Sequence, residues 1–355
     1  MRLVSLNSCE EGLILARPIF DENNRVLLNE GSILSDAFIR RLKEKKINHL
    51  YVISEITEDI GEVNDNISPQ LRFETTKKLN DVFSAIKENK TGKKTSIARA
   101  TTIRNLTDVF DRIMKELMDS KYLLNMLSHM QTTSDEFFEH SINTSLYSIC
   151  MGKYLGLKQD EIEVLGIGAL FHDIGKTQKT ESEGSWEMHP EIGFNLLRRE
   201  PEFNLLIAHC AYQHHENVDG TGFPRGIRGS EIHRFAKIIS VAEAFDHLVT
   251  KKFLLPHEAM EVILARTFTR YDNTVVDAFK NSVAIYPIGV TVILNSGETG
   301  VVVGHNKLHP QRPKVRIFKN SNGQKLSKEE FYDIDLMELL NVMIVKCDAV
   351  IERSK

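Results

Sequence analysis

Four cysteines in 355 residues, with no CxxC spacing among them, give the chain no thiolate metal site and no redox motif. Cys9, Cys150, Cys210 and Cys347 are scattered and read as reduced thiols. No apolar run reaches the roughly 18–20 residues that span a bilayer. The start, MRLVSLNSCEEG, lacks the charged and then apolar order of a signal peptide. The expectation is a cytoplasmic protein with no membrane segment. Positive charge is also scarce: 45 Lys and Arg stand against 49 Asp and Glu, a net charge of −4. That argues against broad nucleic-acid binding, which needs a basic face. An anionic small molecule can still bind where metals and a few cations concentrate charge in one cleft. Internal repeats and low-complexity tracts are missing too. What is present, 41% hydrophobic and 26% charged residues, fits a globular chain of two or three domains.

Residues 1–55 alternate apolar and polar in short runs and predict a small α+β module without a phosphate loop. GLILARPIF and RVLLNEG form a hairpin turning at Asp21–Asn24, SDAFIRRLKEKK a helix capped by Ser35, and HLYVIS a strand. The acidic stretch 56–68 reads as a linker. From 69 to 130 apolar residues recur three and four apart, which predicts a helical connector interrupted at 91–95. Heptads are not sustained, so a homodimer through this connector is compatible with the pattern but not required by it. Residues 131–282 stay helical, with Gly- and Pro-bearing loops at 184–190 and 217–230. Near Pro287 the period changes to two, and 283–355 reads as a small β-barrel-like module with a terminal helix near 328–341. The expected fold class is multidomain and mainly α, with an all-helical core between a small α+β N-terminal domain and a small β-rich C-terminal domain.

The helical stretch holds adjacent His-Asp and His-His pairs, which are rare by chance. FHDIGK places His172 beside Asp173, MHPEIG carries His189, and HHENVDGTGFP opens on His214 and His215. Nitrogen and oxygen ligands of this kind suit hard or borderline divalent metals. Glu136 and His140 are four apart in DEFFEHS and share a helix face. Glu243 and Asp246 are three apart in VAEAFDHL. An Asp at position 173 can bridge two metals with its two oxygens. A lone His on an apolar face is usually a satisfied core residue, which is how His209, His233, His247 and His257 read. His49, His129, His305 and His309 lack a ligand-like context, and Glu139 reads as a solvated charge. Glu216 and Asp219 read as braces of their loop.

In these ordered motifs, over about residues 131–282, the chain resembles the HD-GYP branch of the HD metal-dependent phosphohydrolases. The flanking modules also look like those attached to this domain in some bacterial proteins. The resemblance implies hydrolysis of cyclic di-GMP to pGpG and/or GMP through attack of metal-bound hydroxide on phosphorus. It implies His140, His172, Asp173, His189, His214, His215 and Glu243 as metal ligands. Glu136 falls where some members have an extra ligand, so two or three ions are implied, iron or manganese. Lys176 would bind a non-bridging phosphate oxygen, with Asp173 and Asp246 in the catalytic set, the latter orienting a water or Lys176. Phe223 and Gly222 would line the guanine or ribose wall, and Arg225 and Lys252 are candidate phosphate contacts. Diguanylate cyclase domains or other signalling proteins are candidate partners.

Three positions depart from the family pattern. Glu243 stands where Asp is usual, which moves the carboxylate by about 1.5 Å. Phe223 replaces the tyrosine of the family name and loses its hydroxyl. Lys252, Phe253 and Leu254 replace the usual Arg-Pro-Tyr, which removes a bidentate phosphate fork. Two other readings follow: an HD phosphohydrolase acting on another nucleotide, and an inactive scaffold or cyclic-dinucleotide-binding protein that has kept the fold.

Overall fold

In the computed structural model the Ser35 hydroxyl accepts the Phe38 N–H at 3.3 Å, and this cap starts α1 (Asp36–Glu44) where the sequence places it. The structure describes all residues except 7–8, 21–24, 46, 48, 61–66, 89–95, 120–123, 126–135, 179–185, 307–308 and 349–355. Around α1, strand β1 (Arg2–Ser5) pairs antiparallel with β4 (His49–Val52). Strands β2 (Ile19–Phe20) and β3 (Val26–Leu28) make the expected hairpin. Its turn at 21–24 lies outside the described residues, as does the connector break at 91–95.

The connector helices α2 (Pro69–Glu88) and α3 (Ser96–Asp119) bury their apolar faces within the chain. Leu79, Val82, Phe83, Phe110 and Ile113 share one core cluster with the central helices. Phe83 packs against Phe138 and Phe171, with ring centroids 5.4 and 5.3 Å apart. A short strand, β5 (Leu124–Asn125), runs parallel to β6 (Val283–Ala284) and links the connector to the end of the helical core.

That core comprises α4 (Glu136–Tyr154), α5 (Gln159–Phe171), α6 (His189–Leu197), α7 (Leu205–Gln213), α8 (Arg234–Thr250), α9 (Pro256–Ala265) and α10 (Asn273–Ser282). Helix α5 buries eight of its residues, from Ile162 to Phe171, as an all-round apolar helix should. Its two glycines explain how neighbours come so close. A Cβ on Gly168 would lie 2.6 Å from the Cys210 Sγ of α7, and one on Gly166 would run into Phe110 of α3. Helix α5 therefore ends rigidly, with His172 as its last cap residue. No helix of the described residues is long and apolar enough to cross a membrane.

Beyond the core lies a five-stranded antiparallel sheet with strand order β10-β9-β8-β7-β11. Its strands are β7 (Thr291–Leu294), β8 (Thr299–Gly304), β9 (Lys314–Lys319), β10 (Tyr332–Asp335) and β11 (Ile344–Cys347). The helix expected near 328–341 is absent. A single 3-10 turn at Lys328–Glu330 leads into β10. Tyr332 and Ile334 alternate with Asp333 and Asp335, a period of two that pairs Tyr332 with Ile317 of β9. The stretch 56–68 is also more than a tether at its start. Ile56 packs with Val301 and Phe318, and Asp59 pairs with Arg316 at 2.5 Å. Leu3 donates its N–H to the Gly289 carbonyl at 2.7 Å, which ties β1 to the segment that leads into the C-terminal sheet.

Candidate metal centre

The end of α5 brings His172 and Asp173 to the middle of the helical core, both essentially without solvent exposure. Three histidines are fixed there in one way. The Nδ1 of His172 donates to the Ala169 carbonyl at 2.7 Å, and that of His214 to the Ala211 carbonyl at 2.9 Å. The Nδ1 of His189 donates to the Trp186 carbonyl. Each bond fixes the tautomer and leaves Nε2 with a lone pair facing inward. The Nε2 atoms of His189 and His214 are then 3.1 Å apart. Asp173 Oδ1 lies 3.2 Å from the first and 3.6 Å from the second.

Asp173 faces both sides of the site. Its Oδ1 turns to His189 and His214, and its Oδ2 lies 3.6 Å from His172 Nε2. Two groups of ligand atoms result, each lying within 4.8 Å of one another: Asp173, His189, His214 and His215, and then His140, His172 and Glu243. His172 Nε2, Asp173 Oδ1, His215 Nε2 and Glu243 Oε2 are buried and have no hydrogen-bond partner. Four acceptors of this kind converging in one place are costly unless a cation satisfies them. The donor set, five imidazoles and two carboxylates, suits a divalent transition metal.

Helix α8 supplies Glu243 and Asp246, one turn apart. Glu243 Oε1 lies 3.8 Å from His215 Nε2, so the longer side chain still reaches the centre. Asp246 is placed differently from the expectation that it orients a water or Lys176. Its Oδ2 accepts from His140 Nδ1 at 2.7 Å, and its Oδ1 accepts from the Asn143 amide at 2.9 Å. It therefore orients His140, and it is Lys176 that meets Asp173, at 2.5 Å.

Two helix-face expectations also change. Glu136 is not brought to either group. It lies exposed in the first turn of α4, paired with Lys251. Glu139 is not a solvated charge. It is buried and pairs with Arg72 of α2 at 2.8 Å. Arg72 also donates to the Asn143 Oδ1 at 3.1 Å, which ties the connector to the Asp246–His140 pair. None of His209, His233, His247 and His257 joins the two groups. His233 instead caps α8 by accepting the Phe235 N–H.

The HHENVDGTGFP loop is braced from inside. Glu216 accepts the backbone N–H groups of Arg225 and Ile227, and Asp219 accepts the Thr221 backbone N–H and hydroxyl O–H. Gly222 is needed for backbone approach. A Cβ there would lie 2.5 Å from the His215 carbonyl. Gly175 has the same role for His189, whose carbonyl a Cβ would strike. Phe223 sets its ring 4.7 Å from that of His215. Arg225 and Lys252 are both exposed. Trp186 borders His189 and His215 and was not signalled by the motifs, because it lies outside every one of them.

The charges around the centre shift its titrations. Burial pushes the His172 imidazole down to about 4 and that of His215 to about 2. Burial opposes protonation of His140 as well, but the Asp246 carboxylate outweighs it and raises that pKa. Burial would raise Asp173, yet His172, His189, His214 and Lys176 hold it well below the usual carboxylate range. In metal-free protein, His172 and His215 lend stability above the ordinary histidine value of 6.5. That stability is lost as pH falls from 6.5 toward their folded values, because the unfolded chain binds protons that the folded one refuses. His140 acts in the opposite sense: its contribution is fully present below 6.5 and lost as pH rises through its folded pKa. The net expectation from these three histidines is a loss of about 3 kcal/mol on going from about pH 7 to about pH 5. Urea unfolding of metal-stripped protein at the two pH values checks it.

A helical core presenting these His and carboxylate groups could hold divalent metal ions. Residues 125–275 match the family model described as HD domain. Residues 291–355 match a KOW domain associated with HD domain, which is the five-stranded sheet. Among curated proteins the chain is similar to a cyclic di-GMP phosphodiesterase of Pseudomonas aeruginosa, at 25% identity over 67% of this chain and 61% of that protein. It is 31% identical to the cyclic di-GMP phosphodiesterase response regulator RpfG of Xanthomonas campestris pv. campestris, over 36% of this chain and 38% of the relative. It is 27% identical to the 3'3'-cGAMP-specific phosphodiesterase 3 of Vibrio cholerae, over 45% of this chain and 38% of the relative. In each case the chain spans less than two thirds of the relative's length.

Proposed function

We propose that this chain is a metal-dependent phosphodiesterase that hydrolyses cyclic di-GMP. One observation carries the proposal: four buried acceptors, on His172, Asp173, His215 and Glu243, converge without partners in an HD domain. Asp173, His189, His214 and His215 would hold one divalent ion, and His140, His172 and Glu243 a second, with Asp173 facing both. Iron or manganese is the identity implied by the HD-GYP resemblance. Such ions supply an acidified water and neutralise charge on the phosphoryl oxygens. The chain's own groups do the rest. Lys176, half-exposed with its ammonium on Asp173, would also hold a phosphate oxygen. Asp246 keeps His140 in one orientation. Phe223 closes the site beside His215. Linear pGpG is the first product, and GMP follows from a second cut.

Similarity to a relative named as cGAMP-specific makes another cyclic dinucleotide the second substrate reading. Cytoplasmic residence, cyclase-type signalling partners and a homodimer belong to the same proposal and rest on the sequence.

The test is turnover by purified protein reconstituted without oxygen with ferrous iron or manganese, against cyclic di-GMP and 3'3'-cGAMP, with bound metal counted. About two ions per chain and faster turnover of cyclic di-GMP are expected. The Glu136→Ala variant is expected to leave the count unchanged, because Glu136 is outside both groups. A filled site with no turnover of either compound overturns the proposal.

A further inference from the structure

We infer that Trp186 is the platform on which a purine base of the substrate stacks, an assignment that rests on reading the site as a nucleotide phosphodiesterase. Trp186 is the chain's one tryptophan, and it is 56% exposed. It joins none of the hydrophobic clusters of the described residues, and neither does Phe223. An exposed indole that serves none of these clusters keeps its face free for a flat partner. Among the described residues its ring meets those of His189, His215 and Phe223. The Trp186 and Phe223 ring centroids are 5.0 Å apart at 83°. The indole centroid is 5.6 Å from that of His215 and 6.3 Å from that of His189.

The two rings therefore make a right-angled corner beside two proposed ligands. A flat base laid on one ring meets the other edge-on, an arrangement that aromatic groups favour. The corner is also fixed rather than loose. The Trp186 carbonyl accepts the His189 Nδ1–H, so the residue that orients a ligand also carries the ring. On the other side, Phe223 N–H donates to the His215 carbonyl at 3.2 Å. A base held there keeps its phosphodiester within reach of the centre. Phe223 lacks the hydroxyl expected from the family pattern, and the exposed indole supplies the larger stacking surface in this chain. Stacking on a ring accepts any base with a π-face. Trp186 thus sets affinity for the purine and does not choose guanine over adenine.

The single tryptophan makes the test direct. Its fluorescence is titrated with GMP, AMP and base-free ribose 5-phosphate, using metal-loaded protein. Quenching by GMP and by AMP, and none by ribose 5-phosphate, is expected. In parallel, KM and kcat for cyclic di-GMP are measured in Trp186→Ala and Trp186→Phe. The alanine variant is expected to raise KM about 10-fold, with kcat and metal content close to wild type. The phenylalanine variant is expected to stay within about threefold, since a ring remains. An unchanged KM in Trp186→Ala, with active wild-type protein, overturns the inference and leaves the proposed function standing. Wild-type protein that turns over no cyclic dinucleotide overturns the proposed function instead. In that event the titration still decides the platform: quenching by both mononucleotides upholds a base site, and no quenching removes it.

Discussion

Replacing Asp173 with asparagine is expected to reduce turnover of cyclic di-GMP by about a thousandfold or more while leaving the metal-free fold intact. Loss of a partner one layer behind a metal ligand typically costs 10- to 100-fold in affinity or activity, and Asp173 is placed to be a ligand itself. Its carboxylate faces both groups, with Oδ1 toward His189 and His214 and Oδ2 toward His172. Asparagine keeps the shape but removes the charge, and one oxygen becomes an N–H donor. That donor can satisfy an Nε2 lone pair of His189 or His214, which in the wild-type protein faces only acceptors. Lys176 loses its ionic partner, but it is half-exposed and can turn to water. The variant should therefore unfold in urea no earlier than metal-free wild type, yet retain little metal. Metal content, urea midpoint and turnover are measured on the same preparation. Wild-type turnover in the variant would remove Asp173 from the chemistry, and early unfolding would show that its charge serves the fold.

The contrast between what the sequence disclosed and what it concealed has a physical pattern. The His and Asp residues that the structure brings together were legible because four of them, His172 with Asp173 and His214 with His215, come as adjacent pairs at the ends of buried helices, where unsatisfied polar groups are not tolerated without cause. The α1 cap at Ser35 and the strand at 49–52 were legible because capping and alternation are local rules. Depth was not. Periodicity put Glu136 and His140 on one face, but it could not say that Glu136 sits at the exposed rim beside Lys251. Glu139 looked solvated because its partner, Arg72, is 67 positions away. Asp246 was found as a site residue, while its task depended on Asn143 and His140 from another helix. The terminal helix near 328–341 failed for a different reason. A run ending in Leu339 and Leu340 resembled a helix face, and pairing with β9 decided the matter for strand.

Arg72 gives the sharpest test of how the connector serves the core. Changing it to methionine is expected to cost about 3 kcal/mol of stability and about tenfold in turnover. The stability term comes from Glu139, whose side chain is 8% exposed and would lose the guanidinium that Arg72 sets 2.8 Å away. Removing one partner of a buried pair leaves the other charge uncompensated, whereas removing both can be nearly neutral. The double variant Arg72→Met/Glu139→Leu should therefore recover most of the lost stability. The activity term has a separate route. Arg72 holds the Asn143 Oδ1, Asn143 donates to Asp246, and Asp246 fixes His140. The double variant still lacks Arg72 at the start of that chain, so its turnover should stay about tenfold low while its urea midpoint returns. Stability and turnover that recover together would show that Arg72 acts only through the fold. Stability losses that simply add in the double variant would show that the pair is not coupled.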